Sequence, residues 1–196
     1  MTPQDIITDA RYIINDTDAS GYRQSNTELL EYVNAGIREC AILQPSLFST
    51  VADHLCAIST CEQTLTFTNA AALVEVLCVK DGAALTPFDQ SVMNAFNPGW
   101  RADTAGAAQQ WSKFANDPLR FFIYPKAPGT PQTLSVRYVK NPTTLALTDA
   151  ITELPLVYRS ALIDYVVYRS ESKDDEHVLS ERAQAFLNSF VAKVKG

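Results

Sequence analysis

Apolar residues recur at intervals of three and four at both ends of the chain and alternate with polar residues between them. At the start, Ile6, Ala10, Ile13 and Ile14 form one such stripe and predict a helix over residues 3–16. Thr2 suits its cap, Pro3 its first position and Asp5 its positive first turn. Asp16 to Gly21 reads as a polar turn, and Ser25 with Glu28 has capping-box spacing for a second helix. Leu29, Leu30, Val33, Ile37 and Ala41 supply its buried face, and Pro45 ends it.

The middle, residues 50–145, reads as strands. Leu65 and Phe67 alternate with threonines, and Leu73 to Val79 is a β-rich run. Asp81-Gly82 is a tight-turn signal leading into residues 84–88. A short helix fits Gln90 to Phe96. Residues 109–114 and 119–124 flank Asn116-Asp117-Pro118 as a hairpin, and residues 134–139 give the last strand. Short antiparallel strands of this kind suggest a sandwich or barrel.

The end is helical again. Leu154, Tyr158, Ala161, Leu162, Tyr165 and Val166 share one face, and Leu179, Ala183, Phe186, Leu187, Phe190 and Val194 share another. Lys193 and Lys195 complement the negative end of the final helix. The expected fold is therefore α+β. Residues 1–49 and 146–196 form a helical bundle from both chain ends, and residues 50–145 form an inserted antiparallel β-sandwich or barrel-like domain.

Composition narrows the function. The 196 residues are 46% hydrophobic and 19% charged, which fits a globular protein. A net charge of −6 argues against wrapping DNA through a basic field. No uncharged stretch is apolar enough for a membrane span, and the N-terminus lacks the basic and apolar regions of a signal peptide.

Candidate chemistry is sparse. Cys40, Cys56, Cys61 and Cys78 have no metal-site spacing and read as free thiols. His54 and His177 read as surface or capping histidines. No nucleophile elbow or phosphate-binding glycine loop occurs. Asp174-Asp175-Glu176 is the densest acidic cluster and suits a helix start. Arg120, Lys126, Arg137 and Lys140 lie among Phe121, Phe122, Tyr124 and Tyr138. That is a weak nucleic-acid stripe, more simply explained by core packing with charges at an edge. Nothing points to catalysis, a cofactor or a metal. Apolar stripes and many aromatics suit contact with other subunits, with a ligand-binding β module or an enzyme with an unrecognised carboxylate site as alternatives.

Two blocks carry a resemblance. The first holds Tyr22-Arg23, Ser25 and Glu28-Leu29-Leu30-Glu31-Tyr32-Val33-Asn34. The second holds Leu154, Pro155, Tyr158, Ala161, Leu162, Asp164, Tyr165, Tyr168 and Arg169, followed by an acidic break and a helix with Ala183 and Phe186. Together they resemble the head-to-tail adaptor (connector) proteins of tailed bacteriophages, including those of T7-like short-tailed phages.

The resemblance implies a virion component assembled in the host cytoplasm. It implies a ring of this chain, typically a dodecamer, docked under the portal protein and offering its far face to a tail nozzle or other tail proteins. Double-stranded DNA would pass through the bore without sequence recognition. It brings no catalysis and no cofactor. Tyr158, Arg159, Tyr165, Arg169, Lys193 and Lys195 are the candidate interface residues, since arginine and tyrosine favour interfaces. Pairing of Arg159 or Arg169 with Asp164 or Glu171 inside the chain stays open. The segment after Phe190 either reaches a portal groove or frays, and the loops at 97–106 and 125–131 are candidate tips facing the tail or a neighbour.

Overall fold

The computed structural model describes residues 1–173 and 180–196. Its elements run α1 (Pro3–Ile13), α2 (Asn26–Leu43), β1 (Ser49–Leu55), β2 (Glu62–Thr64), β3 (Ala70–Val79), β4 (Thr86–Pro87), α3 (Gln90–Phe96), β5 (Gln110–Lys113), β6 (Arg120–Tyr124), β7 (Thr133–Lys140), α4 (Arg159–Glu171) and α5 (Ser180–Lys195). The chain divides into two compact units, Met1–Phe48 with Pro142–Gly196, and Ser49–Asn141.

In the first unit, α4 packs against α1, α2 and α5. The reason lies in its sequence. Ala161, Leu162, Tyr165, Val166 and Val167 are buried together with Asp164, Ser170 and Glu171, so α4 is covered almost all round. A helix without a polar face sits in the interior. The other helices are capped as local chemistry dictates. Thr2 and Asp5 form a reciprocal capping box on α1, and Ser25 Oγ accepts from the Glu28 amide on α2. Gly36 lets α2 approach α4, because a Cβ there would lie 3.0 Å from a ring carbon of Tyr165.

In the second unit, the strands form two separate sheets, ordered β1-β7-β3 and β2-β6-β5-β4. Asp81 adopts a positive φ of 57° at the turn after β3, and Gly82 follows it. One core holds Leu73, Val76, Trp111, Phe121, Ile123, Leu134, Val136 and Tyr138. A second, around Trp100, Phe122 and Cys61, takes in Phe88, Met93, Phe114 and Tyr124. β6 therefore buries both of its faces, Phe121 and Ile123 on one and Phe122 on the other.

The α+β class stands, but the expected arrangement does not. The helices gather about α4, which is buried on nearly every side, instead of sharing a core between four amphipathic stripes. The strands are not an antiparallel sandwich or barrel insert either. They make two open sheets, one of which contains the parallel pair β4/β5, and β3 slips register at three places along β7. Alternation along single strands carries no information on which strands pair, and the stripe read on α4 is only part of a surface buried nearly all round.

Smaller differences follow the same logic. The strand expected at residues 63–68 ends at Thr64, and β1 was not expected at all. The helix whose apolar stripe begins at Leu154 opens as a 3-10 turn at Leu156–Tyr158 and becomes α-helical at Arg159. The acidic cluster at 174–176 and His177 lie outside the described residues.

Candidate functional site

The segment between α1 and α2 is held by charge and aromatic contacts. Arg11 pairs with Asp16, donates to the Gln24 carbonyl at 2.8 Å and to Asn26 Oδ1 at 2.9 Å, and lies 3.5 Å from the Tyr22 ring centre. Asp16 also accepts from the Arg23 amide at 2.9 Å. This network explains the Tyr22-Arg23 block in structural terms. It leaves Tyr12, Ile13 and Tyr22 exposed beside it, with Tyr12 72% accessible.

The start of α4 carries a second apolar surface. Leu156 and Val157 are exposed just before α4, and Ile42 is exposed in the last turn of α2. The two regions meet where the Tyr158 hydroxyl donates to Gln44 at 3.5 Å. Lys173 at the end of α4 pairs with Glu28 at the start of α2, so the two helices run antiparallel. Burial and a hydrogen bond to the Glu28 carboxylate push Tyr32, on the same stretch of α2, up to about 12.

The six residues singled out from sequence are spread over these helices. Arg159 Nε and NH2 donate to Asp9 at 3.0 and 2.7 Å, joining α4 to α1. Tyr165 is buried against Phe190, with ring centres 4.9 Å apart. Arg169 is exposed, with its guanidinium 5.2 Å from the Tyr32 ring centre. Lys193 and Ser189 both donate to the buried Asp164, and Lys195 is exposed on the last turn of α5. Glu171 faces Arg182 at 3.7 Å. The partners of Asp164 and Glu171 are thus Lys193 and Arg182 rather than Arg159 or Arg169. The structure does not gather the six into one patch. Arg159 and Arg169 sit ten positions apart along α4, about 15 Å.

In the strand unit the basic residues are tied down. Arg120 pairs with Glu62 and lies over Phe114, Arg137 pairs with Glu75 at 2.7 Å, and Lys126 donates to the Ala102 carbonyl. Val92 and Phe96, four positions apart on α3, are exposed, Phe96 at 87%. His54 is not a surface residue. It is 2% accessible, edge-on to Phe67 and Phe121, and burial lowers its pKa. Cys40 and Cys56 are buried free thiols, pushed by burial up to about 12 and about 11.

A shallow cavity of about 420 Å³ is bordered by Val79, Lys80, Asp81, Gln132 and Thr133 together with Pro128 and Pro131. Its Lys80 ammonium is paired with Asp53 at 2.6 Å. Among the described residues no three His, Cys, Asp or Glu side chains converge as a metal site. No helix among them is long and apolar enough to cross a membrane.

The interface candidates legible in the sequence are charged and aromatic residues of α4, of the turn before it and of α5. They leave out Tyr12, Leu156, Val157 and Phe96, whose only signal is an apolar side chain off the buried phase. No curated protein matches the chain. A family model described as SU10 adaptor protein matches residues 1–195 and so takes in the strand unit as well as both helical blocks. The chain belongs to the SU10 adaptor protein family, a placement consistent with a structural, head-to-tail adaptor component of a phage particle.

Proposed function

We propose that this chain is the subunit of a ring, a dodecamer in this reading, that joins the phage portal to the tail and surrounds the path of double-stranded DNA. The observation that carries the reading is the pair of unlike apolar surfaces on the helical unit. Tyr12, Ile13 and Tyr22 flank the Arg11–Asp16 turn, and Ile42, Leu156 and Val157 lie by the start of α4. A closed ring needs two different, mutually complementary patches on each subunit, meeting head to tail. The net charge of −6 supports a bore on which DNA slides without adhering, since affinity for phosphate rises with each Lys or Arg presented to it. The partners in this reading are other copies of the chain, the portal protein and tail proteins, and the work is structural.

The test is to mix the purified chain with the portal protein of the same phage and image the product. Rings of this chain on the portal are expected. Portals that stay bare at micromolar chain would overturn the reading. A monomer in the absence of portal would not, because a templating surface can supply the missing contact energy.

A further inference from the structure

We infer that the outer edge of β1 is a docking site for an extended segment of a different polypeptide, added as an extra strand. β1 is the outermost strand of its sheet, paired along its whole length with β7 and with no strand on its other side among the described residues. The Cys56 amide donates to the Gln132 carbonyl, which sets the phase of the ladder. In an antiparallel pair, bonded and non-bonded residues alternate. Thr50, Ala52 and His54 therefore exchange bonds with β7, whereas Ser49, Val51, Asp53 and Leu55 turn their N–H and C=O groups outward. Among the described residues none of these outward groups has a protein partner.

Every other sheet edge is blunted. β4 has two residues, one of them Pro87, and β2 has three. β3 is bulged, and its outer side is covered by the returning chain, where the Leu85 amide donates to the Leu77 carbonyl and the Leu73 amide to the Pro118 carbonyl. Short strands, proline, bulges and covering segments are the means by which proteins protect edges. β1 has none of them. It is seven residues long, pairs without a register shift, and exposes Val51 at 51% and Leu55 at 62% on the face shared with Asp53.

Unpaired backbone groups at strand spacing select an extended peptide as the occupant. A second copy of β1 fits poorly. The antiparallel register that covers the whole strand sets Val51 against Asp53 and Leu55 against Ser49, an apolar–polar mismatch at each outward pair. Sliding by two residues in one direction sets Asp53 against Asp53, and like charges directly opposed are destabilising; sliding in the other sets Val51 against Val51 but leaves each Leu55 beyond the end of the facing strand. The complementary occupant has an apolar residue opposite Val51 and another opposite Leu55, with between them a basic residue opposite Asp53, whose carboxylate is paired with Lys80 at 2.6 Å but stays 44% accessible to a second cation. That pattern belongs to a foreign segment, whether or not the chain forms a ring.

The probe is a peptide, Thr-Val-Thr-Lys-Thr-Val-Thr, added to the full chain. Its control, Thr-Thr-Val-Lys-Val-Thr-Thr, has the same composition but cannot place both valines opposite Val51 and Leu55. Amide exchange of Val51, Asp53 and Leu55 is read by NMR. With the matched peptide about tenfold above its dissociation constant, exchange at these amides slows about tenfold. The control leaves it unchanged. Val51→Pro removes one outward donor and spares the β7 ladder, so it abolishes the slowing while Asp53→Asn keeps it in weakened form. The thermal transition of each variant establishes that it is folded. Equal slowing by both peptides, no slowing at millimolar matched peptide, or protection of the edge by self-association of the chain alone would each overturn the inference.

Discussion

Arg11 and Asp16 form an ion pair whose side chains are only 6% and 7% accessible, and around it the turn between α1 and α2 is organised. The guanidinium spends its remaining donors on the Gln24 carbonyl and Asn26, so removing Asp16 alone strands a buried positive charge. Breaking one side of such a pair costs about 3–5 kcal/mol. Asp16→Ala is therefore expected to lower the urea midpoint sharply. The double variant Arg11→Met with Asp16→Leu is expected to recover much of the loss, because it buries no unpaired charge.

Asp9 and Arg159 test whether an interface candidate works within the chain or between chains. Both side chains are 38% accessible, and exposed pairs of this kind contribute about 0–1 kcal/mol. Asp9→Asn and Arg159→Met are expected to change the melting temperature little and equally. If Arg159 also meets a neighbouring subunit, Arg159→Met alone will reduce ring assembly on the portal, as counted in micrographs.

The two apolar surfaces of the helical unit predict complementary assembly defects. Tyr12→Glu and Val157→Glu each leave one surface intact, so each variant alone is expected to form no ring. Mixed, they are expected to form pairs through the two intact surfaces and to stop there, because the next contact in each direction is blocked. Native mass spectrometry distinguishes these products from rings.

His54 predicts a pH dependence. Burial among Phe67 and Phe121 lowers its pKa, while in the unfolded chain it titrates near its usual value of about 6.5. Below that pH the unfolded chain binds a proton that the folded chain refuses. Stability is thus full above about pH 6.5 and falls as pH drops toward the folded pKa, by at most about 1.4 kcal/mol per pH unit. His54→Leu should flatten the stability profile between about pH 6.5 and 5. The acid loss at lower pH should persist. Asp53 and Asp89, held below the usual carboxylate value mainly by hydrogen bonds from Lys80 and Ser91, release their stabilisation only there.

Gly36→Ala places a methyl 3.0 and 3.2 Å from the Tyr165 ring and 3.3 Å from Leu162, in a helix seam with no flexible neighbour to yield. Overpacking costs about 1–3 kcal/mol, against about 1 kcal/mol gained from replacing glycine within a helix. A lower melting temperature is expected.

Where residues act on their own neighbours, the sequence was readable. The Thr2 and Ser25 caps, the α3 boundaries and the turn at Asp81-Gly82 all depend on groups a few positions apart. β1 shows the limit. Its exposed face carries Val51 and Leu55 and its covered face carries Ala52 and His54, the reverse of the polarity by which half-buried strands are recognised. The same inversion hid His54 as a core residue. Along α1 the buried set is Pro3, Ile6, Ile7, Ala10 and Arg11, so a cation occupies a core position while Tyr12 faces water. Neither fact follows from hydrophobicity, because both depend on partners elsewhere: Asp16 for Arg11, and the Phe67–Phe121 pocket for His54. The candidate interface suffered likewise, since Arg159 and Lys193 meet carboxylates 150 and 29 positions away.

The central place of α4 has a consequence for biosynthesis. Gln24 donates to the Ser170 carbonyl 146 positions later, and Asn34 to the Leu145 carbonyl 111 positions later. A nascent chain leaving the ribosome therefore exposes the apolar sides of α1 and α2 throughout synthesis of residues 49–141, which can close their own core first. Met1–Phe48 is made before the Pro142–Gly196 segment that completes its core, so any premature association is expected to fall on that interval.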